Sequence, residues 1–193
     1  MIRILVLSMF IGVLFAGLVN VHAITIGDNV PVFSLQNQKG DLINLTDYKE
    51  NIVVLEWINP DCPYVQRHYK EGTMKMLSEK YSEKIVWLAV NSTYYMDNKT
   101  NRDWKNKYQL EYSILNDNTG KVGKSFGAKT TPHMFIIKSG VIVYAGAIDN
   151  DRWGKKSDGR VNYVDLGLSE VLNSKGISTS ETKPYGCSVK YKQ

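Results

Sequence analysis

The sequence predicts a three-layer α/β/α domain built on a mixed sheet. Two uninterrupted apolar runs of strand length, residues 51–57 and 85–90, have the composition of strands covered on both faces. Segments of helical periodicity alternate with such runs, as a mainly parallel sheet with crossover helices requires. Two pairs of short apolar segments, each joined by a polar turn with glycine, add antiparallel hairpins early and late in the chain.

The elements follow in order. Val32-Phe33-Ser34-Leu35 and Leu42-Ile43-Asn44-Leu45 flank a turn holding Gly40, forming the first hairpin. After the strand at 51–57, Pro63 suits the first position of a helix, where its missing N–H has no partner to lose. Asp61 or Cys62 is the cap. Tyr69, Thr73, Leu77 and Tyr81 recur every four residues and mark the face turned to the sheet, while Gly72 weakens or bends that helix. The strand at 85–90 leads to a helix at 100–108, a strand at 112–115, the turn Asn116-Asp117-Asn118-Thr119-Gly120 and a short helix at 121–126. Residues 133–137 and 141–144 make the second hairpin through Lys138-Ser139-Gly140. Residues 148–160 are polar and read as a surface excursion. Asn162 caps a last helix, apolar at Val164, Leu168, Val171 and Leu172 and ended near Gly176. Residues 177–193 read as a loose tail.

The ends set the expected compartment. Met1-Ile2-Arg3 is a positive start, residues 4–19 are almost wholly apolar, and Val21-His22-Ala23 has the form of a cleavage site. That pattern is a secretory signal peptide cut after Ala23. The alternative is an uncleaved anchor, for which the run is short against the ~20 residues of a comfortable span. The domain then covers 24–176 and the tail 177–193. The expected localisation is periplasmic or secreted, with membrane contact only during export. The formal charge is +5, with both signs interleaved along the chain, which reads as a solvated surface rather than a nucleic-acid-binding one. No repeat or low-complexity block is visible.

Chemistry concentrates at two places: Asn59-Pro60-Asp61-Cys62-Pro63-Tyr64, after the first apolar strand, and Thr130-Thr131-Pro132, before a later one. A thiol at a helix N-terminus feels the positive end of the dipole and nearby backbone N–H groups, and both favour the thiolate. Asp61 opposes that effect. The alternative for Cys62 is an inert buried cysteine. Glu56, inside the apolar strand, is a candidate proton relay if burial raises its pKa, and otherwise a carboxylate at an exposed edge. Asn59 either donates to a substrate oxygen or shapes the turn. Trp57 and Tyr64 read as packing. Arg67 reads as part of a solvated face, and His68 lies too far along the helix to meet the sulfur. His133 is either near the site or a satisfied strand residue. Cys187, in Pro184-Tyr185-Gly186-Cys187-Ser188, is the only other cysteine. On a mobile tail it would serve as a resolving thiol. As a plain structural partner of Cys62 it would close a long loop, credited with about 4–5 kcal/mol by chain entropy. A free or intermolecular thiol is the third possibility.

These segments resemble the redoxins of the alkyl hydroperoxide reductase/thiol-specific antioxidant (AhpC/TSA) family, within the thioredoxin superfamily. The resemblance rests on the Leu-Glu-Trp strand running into Asn59-Pro60-Asp61-Cys62-Pro63, the Arg67-His68-Tyr69 helix, Thr130-Thr131-Pro132-His133-Met134-Phe135 and the Pro184–Tyr191 ending. More closely, it is similar to exported, peroxiredoxin-like bacterial proteins, and it spans essentially the whole chain after residue 23. It implies a thioredoxin-like fold with an N-terminal β-hairpin extension. It also implies a cis bond before Pro132, placing Thr131 and Pro132 beside the cysteine, where the Thr131 backbone can meet a peptide or peroxide; Pro63 joins them in substrate binding. True peroxiredoxins carry Pro-x-x-x-Thr-x-x-Cys, where this chain has Leu55 and Asn59, and an Arg near the strand where it has Thr131-Pro132. The Cys-x-x-Cys of disulfide reductases reads here Cys62-Pro63-Tyr64-Val65.

Three functions compete. The first is an exported thiol oxidoreductase acting on a peroxide or a disulfide, with Cys62 attacking and Cys187 or an external thiol resolving. It needs an external thiol reductant and no cofactor. The second is a copper-binding module using Cys62, His133 and Met134 or Cys187 as soft ligands. The third is a non-catalytic interaction domain locked by a Cys62–Cys187 disulfide.

Overall fold

The computed structural model describes residues 24–192, so the signal-peptide expectation for residues 1–23 lies outside the described residues. Strands β1 (Ser34–Asn37), β2 (Leu42–Asn44), β3 (Ile52–Ile58), β4 (Ile85–Asn91), β5 (Ser113–Asn116), β7 (His133–Lys138) and β8 (Val141–Gly146) form one sheet in the order β2-β1-β5-β4-β3-β7-β8. The centre, β3-β4-β5, is parallel, and the hairpins attach antiparallel on either side. Helices α1 (Pro63–Lys70), α2 (Thr73–Lys80), α3 (Asn98–Tyr108), α4 (Lys121–Ser125) and α5 (Tyr163–Leu172) pack around it. A separate two-stranded ladder joins β6 (Thr130–Thr131) to β9 (Cys187–Ser188). The architecture is the expected thioredoxin-like one.

The sheet is buried on both faces, which explains the unbroken apolar runs. Strand alternation sends Val54, Glu56 and Ile58 to one side and Val53, Leu55 and Trp57 to the other. The first side packs with Cys62, Tyr69, Met74, Trp87, Ile114 and Leu168. The second packs with Leu88, Val90, Leu115, Phe126 and Phe135. Full burial of a large side chain such as Trp57 contributes about 1.5–3 kcal/mol.

Several expectations shift. The first hairpin strand lies two residues later, at β1. The helix after Cys62 is two helices, broken where Gly72 adopts φ 72° and starts α2 from a left-handed cap. Residues 148–160 are not all surface: Asp149 and Asp151 are buried. The largest correction concerns the tail, which is docked rather than loose. Thr182 N–H donates to Ala145 O (3.1 Å), Val189 N–H to Lys129 O (3.2 Å) and Tyr94 N–H to Lys190 O (3.0 Å). Tyr191 Oη donates to Ala128 O (2.8 Å), with its ring against Gly120 and Gly123. Backbone pairing holds this segment, and its composition carries no trace of it.

Gly123 shows how closely the tail fits. Alanine gains about 1 kcal/mol over glycine in an exposed helix. A Cβ at Gly123, however, would lie 2.6 Å from Tyr191 Oη and 2.7 Å from Ser92 Oγ. Ser92 is fixed between Trp57 Nε1 and Asp117. Gly123→Ala is therefore expected to destabilise, by about 1–3 kcal/mol, as a fall in the urea midpoint would report. Among the described residues, no helix is long and apolar enough to cross a membrane.

Candidate active site around Cys62

The site forms at the carboxyl end of β3. Asn59 Oδ1 accepts from Asp61 N–H (2.8 Å), and Cys62 N–H donates to Asn59 O (2.9 Å), closing a turn. That turn delivers Cys62 to the N-cap of α1 with extended backbone, and Pro63 takes the first helical position. Asn59 is 2 % exposed, and its side-chain oxygen is engaged in this turn, as the turn reading expects. Pro63 starts the helix and lines a shallow recess with Tyr64, Arg67, Arg152 and Trp153.

Across from Cys62 the Thr131-Pro132 bond is cis. Cys62 Sγ donates to Thr131 O at 3.0 Å. Thr131 pairs antiparallel with Cys187, so the tail strand lies along the edge where an incoming chain was expected. Cys62 is 1 % exposed beneath it, whereas Cys187 is half-buried; both are thiols. Burial pushes the Cys62 pKa up. The neighbouring Cys187 thiol, with smaller contributions from Thr131 and from the backbone at Val65 and Cys187, outweighs that and holds it below its ordinary value. Cys187 moves the opposite way, up to about 11, through burial and then the neighbouring Cys62 sulfur. The two thiols are thus shifted in opposite directions, Cys62 down and Cys187 up.

Glu56 is fully buried, not at an edge. Trp87 Nε1 donates to Oε2 at 3.0 Å, and Tyr112 donates to Tyr69 (3.0 Å) beside it. Burial pushes the Glu56 pKa up to about 7, only partly offset by the hydrogen bond from Trp87 and by the neighbouring Tyr69 and Tyr112 hydroxyls. It shares the sheet face of Cys62 and has the proton affinity of a relay near neutral pH.

His133 proves to be a satisfied strand residue. It pairs with Trp57 across the sheet, and its ring lies 4.5 Å from that of Phe135, on the face opposite Cys62. Nδ1 accepts from Lys129 N–H (3.3 Å), and burial holds the imidazole neutral, with its pKa down to about 3. Met134 faces the other way, toward the Cys62 cluster. Among the described residues, no group of three or more His, Cys, Asp or Glu side chains could hold a metal ion. Tyr64 touches the rings of Trp153 and Tyr185 at about 6 Å.

Arg67 was expected on a solvated face; instead it donates to Asp151 O (2.9 Å), while His68, away from the sulfur as expected, is fully buried. Both meet Tyr185 of the tail. Burial pushes the His68 pKa down to about 4, only partly countered by Asp149. Asp149, Arg160 and Tyr185 complete this cluster, and sequence reasoning missed all three. The nearest signal was the position of Tyr185 two residues before Cys187.

The family model of AhpC/TSA matches residues 26–145. A Coxiella burnetii (strain RSA 493 / Nine Mile phase I) protein carrying the name peroxiredoxin bcp is 23 % identical over 137 residues, covering 71 % of this chain and 77 % of that protein. The crystal structure of a hypothetical protein from Sinorhizobium meliloti 1021 superposes with a TM-score of 0.79 at 24 % identity, covering 89 % of this chain and 97 % of that one. The crystal structure of peroxidoxin BcpB from Mycobacterium tuberculosis gives 0.54 at 19 % identity, covering 63 % and 84 %. The two structural likenesses bear on the fold.

Proposed function

Because this chain belongs to the AhpC/TSA family, and so to the peroxiredoxin-like oxidoreductases, we propose that it reduces hydroperoxides with Cys62 as the attacking thiolate and Cys187 as the resolving thiol. The observation that carries this reading is the convergence of both cysteines on Thr131: Cys62 Sγ donates to Thr131 O (3.0 Å), and Cys187 pairs with Thr131 across β6 and β9.

Chemically, the Cys62 thiolate attacks one peroxide oxygen, the O–O bond breaks, and the departing alkoxide or hydroxide takes up a proton. Cys62 is left as sulfenic acid. Cys187 then attacks that sulfur; its proton leaves with the hydroxyl as water, and a Cys62–Cys187 disulfide forms. An external dithiol restores both thiols. It meets the more exposed Cys187 first and expels the Cys62 thiolate, the better leaving group. The Thr and Arg of true peroxiredoxins are absent, so the start of α1 and the Thr131 hydroxyl would supply polarising hydrogen bonds. Burial of Cys62 under the tail favours a small oxidant over a protein disulfide. Disulfide reduction is the second reading, supported by the β6 edge, which would accept an extended chain once the tail leaves it. The apolar start of the chain supports a place outside the cytoplasm.

The test adds a single equivalent of hydrogen peroxide to reduced protein and maps both thiols over seconds to minutes. The expected product is a Cys62–Cys187 disulfide; a Cys62 thiol that survives sinks the peroxidase reading. With Cys187→Ser, oxidation is expected to stop at Cys62 sulfenic acid after one turnover, detected by a dimedone adduct.

A further inference from the structure

The chemistry above leaves one buried polar cluster unused. The Tyr185 hydroxyl donates to Asp149 Oδ1, accepts from Arg67 Nη2 (3.1 Å) and lies 3.0 Å from His68 Nε2. Asp149 and His68 are 1 % and 0 % exposed. Asp149 is fixed in turn by Arg160 Nε (3.0 Å) and Nη2 (2.8 Å) and by Asp151 N–H (2.9 Å). Arg160 also reaches Glu71 at the end of α1 (2.8 Å). The seat is thus built from the α1 helix and the 149–160 segment, and only its occupant comes from the tail.

Between that occupant and the second sulfur stands one residue. Gly186 adopts φ 141° and lies so close to the Thr131-Pro132 peptide that a Cβ would overlap Thr131 O and sit 2.7 Å from its carbonyl carbon. Seat, glycine and β6 together fix where Cys187 falls.

We propose that Tyr185, in its Arg67–His68–Asp149 seat, is a positioning residue for thiol resolution: with Gly186 it sets Cys187 on Cys62 and keeps the tail closed over that sulfur. The proposal rests on the reading of Cys187 as the resolving thiol. A polar seat fits this task better than an apolar one, because hydrogen-bond direction fixes the ring as well as burying it. Its cost is modest when the tail opens, since Arg160 continues to pair Asp149.

The experiment uses the full chain carrying Tyr185→Phe or Gly186→Ala. Each variant is equilibrated in glutathione buffers to obtain the constant for the Cys62–Cys187 disulfide. Cys62 alkylation by iodoacetamide is timed in parallel, and cooperative thermal unfolding checks the fold. Holding two thiols together is expressed as an effective concentration, and losing the hold should lower the disulfide constant about tenfold or more. Cys62 alkylation should quicken in both variants. A side chain that only stabilises the fold would lower the unfolding midpoint and leave the disulfide constant unchanged; that result overturns the proposal. If Tyr185→Phe does not unfold cooperatively, Gly186→Ala decides by the same two readouts. A wild-type Cys62 that ignores peroxide, combined with a shifted disulfide constant in the variants, would refute the peroxidase reading and leave the positioning role standing.

Discussion

Cys62→Ser is expected to lower peroxide turnover by about 10³-fold or more, with little change in the unfolding midpoint. Serine fits the same N-cap position and can still donate to Thr131 O, so the turn and the start of α1 survive. What disappears is the anion. Its polar neighbours, Cys187 first and then Thr131, hold the thiol below its ordinary pKa, but they cannot bring an alcohol within reach of neutral pH. A steady-state peroxide assay with excess dithiol reductant, run beside a denaturation curve, separates the two effects. Retained turnover would move the chemistry to Cys187 or away from thiols altogether.

Glu56→Gln is expected to stabilise the protein at alkaline pH. The folded-state pKa of Glu56 is raised to about 7, whereas the ordinary value is 4.5. The unfolded chain therefore ionises this group first, and stability falls as pH rises from the ordinary value toward the folded one. Above both values the penalty is complete, worth about 3 kcal/mol, and below both it vanishes. Glutamine keeps an acceptor for Trp87 Nε1 and carries no charge to desolvate. The difference between variant and wild type should thus be near zero below the ordinary value and largest above the raised one, as urea titrations across pH would show. If the carboxylate also relays protons to Cys62, the pH-rate profile loses its inflection near neutrality in the same variant. Flat stability differences would mean that Glu56 ionises as an ordinary acid.

The parts legible in the sequence are those with local causes. An apolar run covered on both faces needs no knowledge of its neighbours to be read as a central strand, and β3 and β4 lie where the runs do. Cys62 before Pro63, and Thr131 before Pro132, are punctuation marks of the same kind. Parity decides between the two readings of His133: alternation through β7 puts it with Phe135, on the far face from the cysteine. The Tyr185 seat was not legible. Asp149 and Arg160 come from one loop segment, His68 from α1 and Tyr185 from the tail, and each alone has the composition of a solvent-facing residue. Their burial follows from meeting one another, which no window of sequence contains. The tail was misread because main-chain pairing leaves no side-chain signature, and Gly186 reads as flexibility when its task is close approach.

The order in which the chain is made gives the tail a further meaning. Domains fold as units while synthesis proceeds from the N-terminus. Every strand of the seven-stranded sheet ends by Gly146 and the last helix by Leu172, yet the segment that shields Cys62 comes after them, seated at Tyr185 and paired at Cys187. A nascent chain can therefore close its sheet with the reactive sulfur still open to any thiol or oxidant nearby. A chain cut before Tyr185 would keep the sheet and its helices while losing its safety catch.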